Sequence, residues 1–213
     1  MGELNSKAMD FPISIADADP WAIAIHEAGH LAAGFLLGRE ILKVTISFQD
    51  DGKRGCYYSP IDDNKWNDFD EVVILLAGPR AQIELIPESL PDGKARLFEE
   101  RIILPMPSAR RKPAGVYDST GWGNDIDYVY KLLCYPDAPT RRMPFHLTHR
   151  RIVDLAEQRV LEFCRDPGIQ ECLRFIAKEI LETRGIEGPA VAEVIEKSLL
   201  SEAAKGKQFL SWQ

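Results

Sequence analysis

The spacing of apolar positions changes period along this chain, and each change marks an element. From Pro20 to about Gly38 the period is helical: Ala22, Ile23, His26, His30, Ala33, Gly34 and Leu37 recur at i, i+3, i+4 and form one buried face. Asp19-Pro20 is a good start for such a helix, with a capping side chain followed by proline at the first helical position. The period then drops to two. Over Lys43–Phe48, Val44, Ile46 and Phe48 fall on one face and Thr45 and Ser47 on the other, which predicts a half-exposed strand. The turn Asp50-Asp51-Gly52-Lys53 and a return strand at Gly55–Tyr58 complete a hairpin. A second apolar helix is expected over Asp68–Ile86, carrying Val72, Val73, Leu75, Leu76, Ala77, Ala81 and Ile83.

The pattern then weakens. Pro87, Pro91, Pro105, Pro107 and Pro113 interrupt the stretch to Gly121, leaving room for one short helix near Ala95–Ile103. Helical spacing returns over Asn124–Cys134, Leu147–Cys164, Gln170–Thr183 and Pro189–Leu200. The expected fold is mainly α with a small antiparallel β-sheet. Residues 1–18 read as a flexible arm and 19–213 as a single domain, with 87–119 as a Pro- and Arg-rich insertion. Its run Pro105–Pro113 has too few apolar residues to pack as core, so the insertion is either a gate over the functional site or an inert surface loop.

Composition narrows the function. At 213 residues with 45% hydrophobic content, the chain can bury one substantial core. A net charge of -7 argues against a nucleic-acid partner. The basic spots Arg110-Arg111-Lys112, Arg141-Arg142 and Arg150-Arg151 read as solvated loops, with docking of an acidic partner as the other reading. Cys56, Cys134, Cys164 and Cys172 form no C-x-x-C pair, and residues 1–19 hold no signal-peptide core. The longest apolar runs fall short of the ~18 residues of a membrane span. The expectation is a soluble, cytoplasmic protein with free thiols and no membrane span.

The candidate chemistry lies in His26-Glu27-Ala28-Gly29-His30, an H-E-x-x-H motif on the first helix. Two imidazoles four residues apart share one helix face, so both reach a single metal ion. Glu27 projects to the same side, where a carboxylate can take a proton from a metal-activated water. The plain alternative is a pair of core histidines. Both sit within an apolar stripe, however, and buried imidazoles cost free energy unless paired or coordinated. Gly29 adds a second signal, since glycine inside a helix costs about 1 kcal/mol relative to alanine and marks a close backbone approach.

A catalytic zinc needs a third protein ligand. The metzincin pattern is excluded, because it asks for glycine at 33 and histidine at 36, where this chain has Ala33 and Leu36. The remaining histidines, His146 and His149, lie in or beside a Pro- and Arg-rich loop. Glu84 and Asp125 sit in apolar surroundings. Asp125 ranks first, since Gly121-Trp122-Gly123-Asn124 delivers it at a helix start, and Asp127 stands behind them.

Several segments taken in order resemble the peptidase domain of FtsH, the M41 group of zinc metallopeptidases. Ala24-Ile25-His26-Glu27-Ala28-Gly29-His30 is similar to its active-site helix, and Gly55-Cys56-Tyr57-Tyr58-Ser59-Pro60 to its glycine-aromatic strand. Leu75-Leu76-Ala77-Gly78-Pro79-Arg80-Ala81 resembles a later helix, and Ser119-Thr120-Gly121-Trp122-Gly123-Asn124-Asp125-Ile126 the segment that supplies the third ligand. Ile176–Glu182 followed by Ile186-Glu187-Gly188 resembles its terminal helical pair. The resemblance spans roughly residues 20–200. It implies a zincin-like fold, Zn2+ held by His26, His30 and Asp125, and Glu27 as general base of a metalloendopeptidase. The chain departs from the family in having neither a P-loop nor membrane helices. Any activity is therefore expected to be ATP-independent and confined to unfolded polypeptides or short peptides, unless an ATPase acts in trans. The Lys43–Phe48 strand offers an edge for an extended substrate, or for the N-terminal arm. The rival reading is a non-catalytic zinc-binding interaction module on the same fold.

Overall fold

The first helix, α1 (Pro20–Leu36), starts where Asp19 accepts a hydrogen bond from the Trp21 backbone N–H at 3.0 Å, with Pro20 at the first helical position. The computed structural model describes residues 19–46, 55–58, 68–87, 125, 129 and 149–207. Within them α1 is followed by β1 (Ile41–Thr45), β2 (Gly55–Tyr58), α2 (Asp68–Leu85), α3 (His149–Arg165), α4 (Pro167–Thr183), β3 (Gly185–Glu187), α5 (Pro189–Lys197) and α6 (Leu200–Ala203). Asp125 and Val129, one turn apart, are also helical. The protein is mainly helical with a small antiparallel sheet.

α1 is more than an amphipathic helix. Every residue from Ala22 to Gly34 is buried, because α2 covers one side, α4 another and β1 a third. α1 is therefore the central element of the core. α2 packs in turn on α3, so the helices form layers around α1, with Phe69, Phe163, Ile25, Leu31 and Ile176 among the fully buried side chains.

The sheet differs from expectation in one respect that matters. The hairpin is present, with Val44 paired to Cys56 and Thr45 to Gly55, and Val44 and Ile46 point into the core. The strand order, however, is β2-β1-β3. β3 pairs antiparallel to β1, Val44 opposite Ile186, so Lys43–Thr45 is the centre of the sheet and offers no edge to a substrate or to the arm. β3 forms in the link between the two expected C-terminal helices: Arg184 closes α4 in the left-handed conformation and turns the chain back along β1.

Other boundaries shift for local reasons. α4 begins at Pro167 rather than Gln170, because Asp166 accepts from the backbone of Gly168 and Ile169 and proline follows it. The last helix divides at Ser198-Leu199, where Leu199 is left-handed and the Ser198 hydroxyl donates to the Ile195 carbonyl. Arg151 is exposed on the first turn of α3 rather than in a loop. Cys164 and Cys172 are free and buried, and burial pushes the Cys164 thiol far above its ordinary range. No helix among the described residues is long and apolar enough to cross a membrane. The arm 1–18, Phe48, the insertion beyond Pro87, the Ala95–Ile103 helix, His146, Asp127 and the basic spots at 110–112 and 141–142 lie outside the described residues, as does all of Asn124–Cys134 except Asp125 and Val129.

Candidate metal centre

His26, Glu27 and His30 are the only ionisable side chains of α1, and all three lie in its buried middle. They are 2%, 5% and 7% exposed, so none can rely on bulk water for solvation. The reason for this burial is the close crossing of α1 and α2. A Cβ at Gly29 would stand 2.5 Å from the Ala77 carbonyl oxygen and 2.9 Å from the Ala81 Cβ, so only glycine permits this spacing. The close backbone approach read from Gly29 is therefore present, with α2 as its partner.

α2 also fixes the His30 ring. His30 Nδ1 lies 2.8 Å from the Ile74 carbonyl oxygen, which can only accept, so Nδ1 carries the hydrogen. In the neutral ring this leaves the lone pair on Nε2, the tautomer of a metal-ligating histidine whose other nitrogen is held by a backbone carbonyl. Nε2 points at His26 Nε2, 3.0 Å away, with the two rings edge to face. Asp125 reaches the same point from its own helix: its Oδ2 is 3.0 Å from His26 Nε2 and 3.5 Å from His30 Nε2. Oδ2 is buried, with no hydrogen-bond partner that meets strict geometry among the described residues. One ligand atom from each of the three residues lies within 4.8 Å of the others, close enough to share one ion. His26 Nδ1 is buried with no hydrogen-bond partner among the described residues.

Charge at the site follows from this convergence. Burial of the His30 ring opposes its protonation, but the adjacent Asp125 carboxylate, helped by Glu27 and the Ile74 carbonyl, outweighs burial and raises His30 to about 9. Burial likewise opposes ionisation of Asp125, and the neighbouring histidines overcome it, holding Asp125 down at about 2. The three ligand atoms are thus placed so that they could hold a cation. Without a metal, a proton on His30 serves.

The other ligand candidates are elsewhere. Glu84 accepts from Arg165 Nε at 2.9 Å and lies 3.5 Å from Arg80, in the interface of α2 with α3. His149 is the first residue of α3. Sequence reasoning missed two groups on α2 that act on His30, the Ile74 carbonyl and the backbone at Gly78. The carbonyl leaves no trace in a sequence. A glycine directly before Pro79 in mid-helix is a signal of close approach that was there to be read. Compared with models of known protein families the chain matches none, and no curated protein is significantly similar to it.

Proposed function

We propose that the chain is a zinc-dependent metallopeptidase with a zincin-like fold related to the FtsH peptidase domain. The observation that carries this reading is the convergence of His26 Nε2, His30 Nε2 and Asp125 Oδ2 on one point beside the buried middle of α1. Three electron-pair donors gathered there repel one another unless a cation joins them. Two imidazoles and one carboxylate suit zinc, leaving a position open for water or substrate. Zinc in such a site supplies a Lewis acid that brings water toward ionisation near neutral pH and polarises a carbonyl.

The remaining chemistry belongs to the chain. Glu27 follows His26 on α1 and is close enough for its charge to act on His30. It takes the proton from the attacking water and passes it to the leaving amine. The Ile74 carbonyl holds His30 in one tautomer, and Asp125 balances the charge. Substrates are unfolded polypeptides or short peptides, and cleavage needs no nucleotide, because a stable domain resists unfolding by ~5–15 kcal/mol. A separate ATPase acting in trans would extend the range to folded proteins.

One observation favours a second reading. Glu27 is deeply buried, as a residue in a sealed, non-catalytic zinc-binding module would be. Turnover of an unfolded protein and of its stable folded form, with and without chelator and ATP, decides between them. The peptidase reading expects chelator-sensitive, ATP-independent cleavage of the unfolded form only, falling about 10²–10⁴-fold in Glu27→Gln. Cleavage that persists in Glu27→Gln, or none in zinc-loaded protein, contradicts it.

A further inference from the structure

We infer that Gly78 is a positioning residue for the metal centre: the missing side chain at this position is the seat of the His30 ring. The inference rests on the metal-centre reading given above and deepens it. A Cβ built at Gly78 would fall on the His30 imidazole, nearest of all to Nε2, then 2.6 Å from Cε1 and 2.8 Å from Cδ2. The atom met first is the proposed ligand atom. Ile74, which binds the other ring nitrogen through its carbonyl, stands four residues earlier, one turn away on the same face of α2. Two consecutive turns of α2 therefore form a cradle, with a carbonyl that fixes the ring's tautomer and a bare backbone that leaves room for its metal-binding edge.

Gly29 makes a useful contrast because it lies in the same helix crossing. The atoms a Cβ would meet there belong to the Ala77 backbone and the Ala81 Cβ, which yield only if the helices separate. At Gly78 the three nearest atoms all belong to one side chain, the His30 ring, and none to the backbone of α1. An added methyl at 78 therefore evicts the ligand, and an added methyl at 29 disturbs the fold.

The test is a thermal double-mutant cycle on the metal-free chain: parent, Gly78→Ala, His30→Ala and the double variant. Gly78→Ala is expected to lower Tm by several degrees in the parent. In the His30→Ala background it is expected to leave Tm unchanged or raise it, because the methyl enters space the ring has vacated. Gly29→Ala lowers Tm in both backgrounds. Titration with Zn2+ alone should show Gly78→Ala binding about 10- to 100-fold more weakly than the parent, with helix content unchanged by circular dichroism. Equal Tm losses in both backgrounds, or parental zinc affinity, overturn the inference. If Gly78→Ala does not fold, recovery of folding in the double variant supports it and failure of the double variant overturns it. A parent that takes up no Zn2+ overturns the metal-centre reading, and the metal-free cycle still decides whether Gly78 seats the ring.

Discussion

Helix α2 carries ionic and polar groups on two sides, and the two sides are built on different terms. Toward α3, Arg80 meets Glu157 and lies 3.5 Å from Glu84, and Arg165 closes on Glu84 at 2.9 Å. Two guanidiniums and two carboxylates there supply both signs of charge from the chain itself. Toward α1, the chain supplies His26, His30 and Asp125, and the positive charge must come from solution, as a proton on His30 or as a metal ion. The first cluster is complete when the chain folds. The second, on the reading proposed above, is completed by a metal ion. An ionic cluster that carries its own counter-charge thus reads as architecture, and one whose charge is balanced only by a proton or an ion motivates the proposal of a site.

This contrast is easiest to break with metal. Saturating Zn2+ should raise Tm by about 10 °C if the ion is held at a thousandfold its dissociation constant. His30→Ala should abolish the gain, while the α2–α3 cluster stays indifferent to chelator. A gain that survives in His30→Ala places the ion elsewhere.

The converse variant is Arg80→Met. It removes the partner of Glu157, while Glu84 keeps Arg165, and should cost about 2–3 kcal/mol in denaturant melts, below the usual cost of a broken buried pair because both carboxylates keep some solvent. Zinc uptake should be parental. Loss of zinc at unchanged stability would erase the distinction between the two faces of α2.

pH sharpens the comparison through opposite slopes. His30 is raised from 6.5 to about 9, so protonation stabilises the metal-free fold fully below about pH 6.5, and that contribution is lost as pH rises through about 9. Zinc affinity runs the other way: it displaces the His30 proton and should tighten about tenfold per pH unit until about pH 9. Melting curves and Zn2+ titrations between pH 6.5 and 9 check both. Parallel slopes would contradict the shared role of Nε2.

The smallest effect expected is at Asp166, which contributes no charge to either cluster although it follows Arg165 in the chain. Its carboxylate caps α4 and meets Lys207 Nζ at 2.6 Å. Asp166→Ala should cost about 1 kcal/mol by denaturant melting and leave zinc binding unchanged.

How much of this was legible in the sequence depended on whether the cause was local. Asp19-Pro20 marks the start of α1, the alternation through Val44 and Ile46 marks β1, and Gly29 marks a close crossing, each within a few residues. β3 was not legible: three residues are too few to show a period of two, and only pairing with Val44, far away in sequence, makes Ile186 part of a strand. The error about the β1 edge follows from that. Glu84 looked like a ligand candidate because its apolar neighbours hid Arg80 and Arg165, which reach it from one turn back and from α3. His26 and His30 were set by helical spacing, whereas the hold of α2 on His30 is a tertiary fact carried by a carbonyl and an absent methyl.

The central claim is that His26, His30 and Asp125 together take a metal ion from solution, and elemental analysis of the purified chain tests it most directly. After zinc loading and exhaustive dialysis, about one zinc per chain should remain in the parent and in Glu27→Gln. Almost none should remain in His26→Ala or His30→Ala, and Asp125→Asn should be depleted. Full zinc in His30→Ala, or no zinc in the parent, would contradict the claim.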